Sequence, residues 1–404
     1  MLSVVRRARW GVSLLFLTNA VVYASVVPRF PQLKADLGLS NTVLGLVIAA
    51  GPLGALLAGL VATQVVGRLG SARTGVVGSA LMSVNLLSIG FAPNAWWLGA
   101  GLFVAGFCDS VGDVGNNVHG LRVQRGYGRS IINSFHGIWS VGAVAGGVLG
   151  SAAAGLHVSV ATQLTATAAA FLIVSLAASR LQLPGPDPTD RRPEDTAAGR
   201  LRASGSTLRA LATLGALAAL AGVVEDSGAS WGAVYLSGSL GAGPGLAGSA
   251  FLTMAICMAV GRLTGDRLVD RYGERQVAAT GAVLAAVALG ASLIWPSTAS
   301  VLVGFGLAGL GTATMIPAAM HAADHLPGLP PGAAITVVSL VSRLGFLFSP
   351  PLVGVIADHS SLRFALATVP IAALAALVCS RALSNAAIAQ SSAEPTPVTH
   401  PDER

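Results

Sequence analysis

The sequence predicts an all-α polytopic membrane protein with twelve transmembrane helices in two pseudo-symmetric six-helix bundles. Of its 404 residues, 53% are hydrophobic and only 10% are charged, whereas soluble domains carry about 25% charged residues. Mean hydropathy is +0.72. Apolar stretches of about 20 residues, long enough to cross a bilayer core as a helix, recur along the chain. Parts of the first half also recur in the second at a constant offset of 203 residues.

Twelve apolar stretches, separated by charged residues, Pro and Gly, are the candidate spans, numbered 1 to 12 along the chain. The first six cover 10–28, 41–65, 74–92, 96–119, 130–154 and 158–179. The second six cover 209–236, 245–265, 277–295, 299–321, 333–356 and 361–382. The polar stretch between the two sets lacks hydrophobic periodicity, which indicates a linker. We therefore predict an N-terminal bundle at 1–179, a cytoplasmic linker at 180–208, a C-terminal bundle at 209–382 and a disordered cytoplasmic tail at 383–404.

The distribution of basic residues predicts the orientation. The formal net charge is +7. With the N-terminus in the cytoplasm, 20 of the 24 basic residues fall on the cytoplasmic side, Arg29, Lys34 and Arg363 fall outside, and Arg343 lies within a span. Loops rich in Arg and Lys stay in the cytoplasm, so we expect both termini there, in the plasma membrane of a bacterium. The basic excess thus reflects topology, and we expect no nucleic-acid partner.

The internal repeat runs from the loop between spans 2 and 3 to span 5. At the offset of 203 residues, the matching positions are Arg68-Leu69-Gly70 with Arg271-Tyr272-Gly273, Pro93 with Pro296, Gly101 with Gly304, Gly106 with Gly309, and Gly142 with Gly345. Two parallel six-helix repeats place a substrate site between them, near the middle of the membrane.

The loop between spans 8 and 9 reads Gly265-Asp266-Arg267-Leu268-Val269-Asp270-Arg271-Tyr272-Gly273-Glu274-Arg275. It resembles the characteristic loop of the major facilitator superfamily, and the resemblance covers nearly the whole chain. The first-half copy is degenerate, with Gly67 in place of the Asp. The resemblance implies a secondary transporter that works by alternating access. It also implies a cytoplasmic gate formed by Asp266, Asp270 and Arg271.

Spans 4 and 5 carry a closer resemblance, to a bacterial branch near the fucose permeases. The motifs are Asp113-Val114-Gly115-Asn116-Asn117, Gly128-Arg129, Ser134-Phe135-His136-Gly137 and Ser140-Val141-Gly142. This resemblance favours a small polar solute, such as a sugar, and coupling to protons. Span 1 has no acidic residue where the fucose permeases use one for coupling, so coupling must rest on spans 4 and 7.

Five ionisable residues lie inside spans: Asp109, Asp113, Glu225, Asp226 and Arg343. An ionisable group is costly in a bilayer, so each is a candidate functional residue. Asp109 and Asp113 are four positions apart and share a helix face. Asp113 and His136 lie at a similar depth, about 9 Å from the inner ends of their spans. They can form a proton-handling pair, or a static hydrogen bond that fixes the hairpin of spans 4 and 5.

We predict proton coupling at Asp113, Glu225, Asp109 and His136. Adjacent helical residues point about 100° apart, so at most one of Glu225 and Asp226 needs to face a central cavity. The alternative role for Glu225 is local capping of a helix broken by nearby glycines. At the cytoplasmic ends of spans 8 and 9, gate carboxylates can pair with arginines or with a helix N-terminus in one conformation and release them in the other.

The predicted substrate contacts are Asn19, Tyr23, Asn117, Asp226, Trp231, Tyr235 and Arg343. Span 1 offers hydrogen bonds through Asn19 and Tyr23. Trp231 and Tyr235 are four residues apart and can stack on a sugar ring, or they can be anchors at the membrane interface. Arg343 is a permanent cation and needs a partner, either a carboxylate of spans 4 or 7 or an anionic group of the substrate.

The sequence predicts a transporter and not an enzyme. It contains no phosphate-binding loop and no His-Glu-x-x-His metal motif, and its three cysteines fit no disulfide or metal pattern. We expect a monomer without cofactor or metal whose partners are a small solute, protons and the lipid bilayer. A proton-driven drug or metabolite efflux antiporter is the alternative, although span 5 lacks the Gly-Pro end of such exporters. A membrane sensor would need a signalling domain, for which linker and tail are too short.

Overall fold

The computed structural model describes residues 2–129, 131–185, 187, 204–330 and 332–383. Apart from Leu383, which is buried, the predicted tail lies outside these residues, as does most of the predicted linker. All secondary structure in the described part is helical, which confirms the predicted fold class. Twelve helical segments there are long and apolar enough to cross a membrane: Val4–Asp36, Asn41–Ala58, Ser71–Gly90, Ala95–Tyr127, Ile132–Gly155, Val160–Ser179, Gly205–Leu240, Pro244–Tyr272, Glu274–Ile294, Thr298–Asp324, Ala333–His359 and Leu362–Ala382.

Five of the spans are interrupted helices. Span 1 contains a 3-10 turn at Val27–Arg29, span 7 a π-helical turn at Gly228–Gly232, span 8 a break after Pro244–Ala247, span 10 a break between Thr298–Thr312 and Met315–Asp324, and span 12 a break between Leu362–Ala365 and Thr368–Cys379. Beyond the break that ends span 2, the chain continues in the helix Ala62–Leu69. Such turns free backbone groups and often mark functional positions in a helix.

Span 4 is longer than the sequence predicts. The helix begins at Ala95, where the Asn94 side chain accepts a hydrogen bond from the Trp97 amide at 3.0 Å. It continues to Tyr127 and ends at Gly128, whose φ of 74° is the left-handed conformation that commonly terminates helices. The hydropathy pattern places the end near residue 119 because the last two turns are polar.

The internal repeat is visible as equivalent contacts in the two halves. The carbonyl oxygen of Gly51 occupies the space that a Cβ at Gly106 would need. In the second half, the carbonyl oxygen of Met254 occupies the same space at Gly309. Both members of the second pair follow the first by 203 positions. Spans 2 and 4 and spans 8 and 10 therefore cross at equivalent points, where only glycine fits.

The halves meet along spans 2 and 11 and along spans 5 and 8. We call the face where spans 6 and 7 join the linker the linker face, and the other the opposite face. Close glycine contacts between the halves lie toward the opposite face: Gly45 with Pro350, Gly354 with Asn41, and Gly155 with Gly245. Across the described ranges, no hydrogen bond joins the linker-face ends of the two halves. The molecule is therefore closed at the opposite face.

Candidate functional site

A cavity of about 330 Å³ lies between the two halves. Its wall comes from spans 1 to 4 of the first half and from spans 7 and 11 of the second. The volume falls within the range of small-molecule sites, about 300–1,000 Å³. The polar side chains in the wall are Tyr23, Asp109, Ser110, Asp113, Asp226, Ser230 and Arg343. All of these except the two serines are predicted from the sequence as functional residues.

The two span 4 carboxylates line the cavity together. Asp109 and Asp113 are one helical turn apart, and Arg343 lies close enough to both for electrostatic interaction. Asn117 Nδ2 donates a 2.9 Å hydrogen bond to Asp113 Oδ1. His136 also interacts electrostatically with Asp113. The structure thus brings Asp113 and His136 together, and their part in proton handling stays a prediction.

Arg343 is held by the other half of the molecule. Its Nη1 donates a 3.0 Å hydrogen bond to the carbonyl oxygen of Ala55, in the last turn of the helix Asn41–Ala58. The carbonyl end of a helix favours a cation. In the described part of the chain, Arg343 forms no ion pair within 4.0 Å. The span 4 carboxylates, which the sequence offers as partners, interact with Arg343 only over a distance longer than that of an ion pair.

Asp226 forms part of the cavity wall on span 7. Its side chain is buried, with 7% of the residue exposed. Ser230 Oγ donates a 2.7 Å hydrogen bond to Oδ1, while Oδ2 is buried and makes no hydrogen bond to a described residue. Tyr23 in span 1 is half-exposed, lines the same cavity and interacts with both Asp226 and Asp109.

Glu225 does not line the cavity. It pairs with Arg262 of span 8, at 3.7 Å between Oε2 and Nη2, and Oε1 is buried without a hydrogen-bond partner among the described residues. The sequence does not predict this pair, because Arg262 lies on the next span and counts there only among the basic residues that set the topology. The local geometry of span 7 allows one of two adjacent acids to face the cavity, and packing selects Asp226. A coupling role for Glu225 stays a prediction.

Four predicted substrate contacts lie outside the cavity wall: Asn19, Asn117, Trp231 and Tyr235. Asn19 Oδ1 accepts a 2.6 Å hydrogen bond from Ser79 Oγ, which joins spans 1 and 3. Trp231 and Tyr235 are 0% and 1% exposed, in the hydrophobic core. Spans 1, 8, 10 and 12 pack against this part of span 7. The two aromatic residues are therefore neither at the cavity surface nor at a lipid interface in this conformation.

The predicted gate residues lie at the linker face. Asp266, Asp270 and Arg271 are exposed, and none of them forms an ion pair within the described ranges. Arg271 lies over the ring of Tyr272, 5.3 Å from its centre. Their function as a gate stays a prediction, because such a gate would form in a conformation that is closed at the linker face.

Asp358 forms a contact at the opposite face that the sequence analysis missed. Its carboxylate accepts hydrogen bonds from the backbone amides of Asn41 at 2.9 Å and Thr42 at 2.7 Å, and from Asn41 Nδ2 at 2.9 Å. The first amides of a helix have no intrahelical partner and favour a negative charge. Span 11 thereby caps span 2 of the other half. The partners are over 300 residues apart, so the sequence carries no local signal of this contact.

The first residues of the linker are bound to the first half. Asp187 accepts hydrogen bonds from the Ser71 amide at 2.5 Å and the Ser71 hydroxyl at 2.6 Å, and Arg122 lies 3.4 Å away. Partial burial favours a raised pKa for this carboxyl, but the hydrogen bonds from Ser71 and the charge of Arg122 hold the pKa of Asp187 below its usual range. Asp187 thus supplies a carboxylate at the start of span 3, next to the loop in which Gly67 replaces the motif Asp.

Two six-span halves enclosing a charged cavity that is closed at one face define a multi-pass membrane transporter of the secondary class. The sequence profile of the Major Facilitator Superfamily matches residues 12–225 and 216–400. The chain belongs to this superfamily.

Three relatives are each 27% identical to this chain. The first is an uncharacterised MFS-type transporter of Yersinia pestis, matched over 371 residues, with 92% of this chain and 94% of the relative covered. The second is an uncharacterised transporter of Sinorhizobium fredii, matched over 359 residues, with 87% of this chain and 92% of the relative covered. The third is the membrane protein MosC of Rhizobium meliloti, matched over 371 residues, with 88% of this chain and 85% of the relative covered.

Solved structures of low sequence identity share the fold. A bacterial homologue of the human lysosomal transporter Spinster, inward-facing and occupied, has a TM-score of 0.73 at 16% identity, with 93% of this chain and 96% of that chain covered. The nucleoside transporter NupG has a TM-score of 0.71 at 14% identity, with 96% and 100% covered. A D-xylose-proton symporter has a TM-score of 0.69 at 16% identity, with 95% and 98% covered.

Proposed function

We propose that the protein is a proton-coupled transporter that moves a small polar solute across the bacterial plasma membrane by alternating access. The observation that carries this proposal is the cavity between the halves, with Asp109 and Asp113 on one half and Arg343 on the other. In this proposal the linker face is cytoplasmic, as the basic residues indicate. Closure at the opposite face then makes the structure an inward-facing state.

The charges in the cavity supply a route for coupling. Asp109 and Asp113 are close enough to repel each other and to attract Arg343 across the interface. Adding a proton to one carboxylate removes part of that attraction, so the protonation state changes how strongly the halves are held together at this point. A group whose charge favours one arrangement of two domains shifts the equilibrium between arrangements.

The cavity and the resemblances support a sugar-like solute. A cavity of about 330 Å³ suits a molecule of sugar size. Motifs in spans 4 and 5 support a placement near the fucose permeases, and two proteins of the same fold are described as a nucleoside transporter and a D-xylose-proton symporter. We include a sugar-like solute in the proposal. One chain supplies the whole cavity wall, so a monomer suffices.

Transport by the purified full-length protein in proteoliposomes tests the coupling. A panel of sugars and other small solutes is applied with and without an imposed pH gradient, while a trapped pH-sensitive dye reports proton movement. We expect solute uptake to move protons and a gradient to drive accumulation. Flux that ignores the pH gradient for every transported solute would remove proton coupling.

Variants then assign the coupling residues. We expect Asp113→Asn and Glu225→Gln to lose gradient-driven accumulation while they keep solute exchange, because exchange needs no net proton release. Asp324→Asn is the matched control, since this acid is exposed at the linker face. Normal accumulation by both variants would show that coupling resides elsewhere.

A further inference from the structure

The charges that line the cavity do not balance. The wall contains three carboxylates, Asp109, Asp113 and Asp226, and one guanidinium, that of Arg343. Arg343 lies close to both span 4 carboxylates. No Lys, Arg or His of the described chain forms an ion pair with Asp226. Arg262 of span 8 pairs with Glu225, the residue next to Asp226 in span 7.

Asp226 also has an unused acceptor. Ser230 bonds Oδ1, but Oδ2 is buried and has no hydrogen-bond partner among the described residues. Ser349 Oγ interacts with the same carboxyl from span 11 but lies outside hydrogen-bonding geometry. Burying a carboxylate without a counter-charge is costly. A partner that enters the cavity can supply the missing positive charge and the missing donor.

Aromatic rings lie in the same wall. Tyr23, Phe30 and Phe346 all line the cavity, and Tyr23 interacts with Asp226. The face of an aromatic ring attracts a cation, most strongly where water is excluded. A carboxylate together with aromatic rings is a combination that suits an ammonium group attached to a compact organic body.

We propose that Asp226 is the counter-ion for a protonated amine, so that the transported solute is a small organic cation with one ammonium group. The ammonium donates to Asp226 Oδ2, and the body of the solute lies against the aromatic side chains. This inference rests on the proposed transport function and narrows the small polar solute to an amine-bearing one. A sugar-like solute of this class is an amino sugar.

Binding of matched probes to the purified full-length protein tests the proposal. The probe pairs are D-glucosamine with D-glucose and cyclohexylamine with cyclohexanol, which differ in charge but little in size, and binding is measured by calorimetry at neutral pH. We expect the amine to bind at least about tenfold more tightly than its neutral partner in one or both pairs, as for a hydrogen bond to a charged group. Equal or weaker binding of the amine in both pairs, or no amine binding at all, would overturn the proposal.

Variants locate the preference at Asp226. Asp226→Asn is expected to abolish the difference within each pair, and Asp324→Asn to leave it unchanged. If Asp226→Asn does not fold, Tyr23→Leu gives a second measurement, because it removes an aromatic face and leaves the carboxylate in place. We expect it to reduce the amine preference severalfold. An amine preference that survives both changes would place the cation elsewhere and contradict the assignment.

The same probes separate this inference from the proposed function. Proton-coupled flux of neutral solutes without amine binding would leave the transporter proposal intact and disprove the amine site. Amine binding that depends on Asp226, together with flux indifferent to a pH gradient, would leave the amine site intact and disprove proton coupling. A preference for anionic solutes that depends on Arg343 would also overturn the amine site.

Discussion

Arg343 of span 11 donates a 3.0 Å hydrogen bond to the carbonyl oxygen of Ala55 in span 2, across the boundary between the two halves. The acceptor belongs to the last turn before span 2 breaks and also accepts a 3.3 Å hydrogen bond from the Gly59 amide. Arg343 thus binds a second lone pair at the carbonyl end of the helix, which favours a cation. Because Arg343 and Ala55 both line the cavity, this contact connects the charge in the cavity to the fit between the halves.

Replacing Arg343 is expected to impair transport strongly. Arg343→Ala removes the hydrogen bond to Ala55 and leaves the span 4 carboxylates without their cation, and a hydrogen bond to a charged group contributes about 1.5–3 kcal/mol. We expect at least about a tenfold lower transport rate in proteoliposomes, with a smaller loss for Arg343→Lys, which keeps the charge but not the planar group. Arg209→Ala is the control, since the bonds of Arg209 to described residues stay within its own helix. Equal rates for both alanine variants would assign Arg343 no role.

Removing the charge of Asp358 is expected to weaken closure of the opposite face. The carboxylate accepts three hydrogen bonds from the start of span 2, and Asp358→Asn loses the charge that favours a helix N-terminus, an effect of about 1 kcal/mol or more. Spin labels in the loops after spans 3 and 9 measure the separation of the halves. We expect a longer-distance population to grow about fivefold.

Ser361→Ala is the matched control for that experiment. Ser361 also caps a helix at the opposite face, by accepting from the Phe364 amide at 3.2 Å, but this cap lies within the second half. We expect no change in the distance between the halves. A distance distribution for Asp358→Asn that matches the wild type would show that the glycine contacts alone keep this face closed.

Gly106 and Gly309, where spans 2 and 4 and spans 8 and 10 cross, are expected to tolerate no side chain. Gly106→Ala and Gly309→Ala place a methyl group where a backbone carbonyl of the neighbouring span lies, and overpacking costs about 1–3 kcal/mol. We expect both variants to melt several degrees lower in detergent. Gly137→Ala is the control, because nothing lies within 4 Å of its added methyl and alanine favours a helix. Loss in only one of the two variants would show that the halves are not equivalent here.

The contact between the linker and the first half is expected to depend on pH. The pKa of Asp187 is lowered in the folded protein, so its contribution is fully present above the ordinary carboxyl pKa of about 4 and is lost as pH falls below that value. Hydrogen exchange of the Ser71 amide measures the contact. We expect a lower protection factor, which is the exchange rate corrected for its intrinsic pH dependence, in Asp187→Asn at neutral pH. The protection factor of the wild type is expected to fall when the pH is lowered through the depressed pKa of Asp187, below about 4. Unchanged exchange in the variant would show that the carboxylate does not hold the linker.

Local patterns predicted much of the candidate site. Asp109 and Asp113 share a face because they are four residues apart on one helix, and the structure places both in the cavity. The offset between the halves predicted equivalent positions, and Gly106 and Gly309 make equivalent contacts. These features depend on helix geometry and on burial in a bilayer, which act over a few residues at a time.

Other features required the packing of distant segments. Trp231 and Tyr235 have the spacing of an aromatic face, but neighbouring spans cover that face. Glu225 and Asp226 are equivalent by position, and only the approach of span 8 assigns one to Arg262 and the other to the cavity. Neither result can be read from span 7 alone.

The sequence by itself determined the number of spans, the repeat and the identity of the ionisable residues inside the membrane, because the cost of placing charge and backbone in lipid acts on each helix separately. The tertiary structure decided which of those residues share a cavity and which pair elsewhere. It also decided that Asp358 and Asp187 cap helices far away in the chain. The physical reason is that a hydrogen bond or an ion pair needs atoms within a few ångströms, and the packing of spans hundreds of residues apart brings those atoms together.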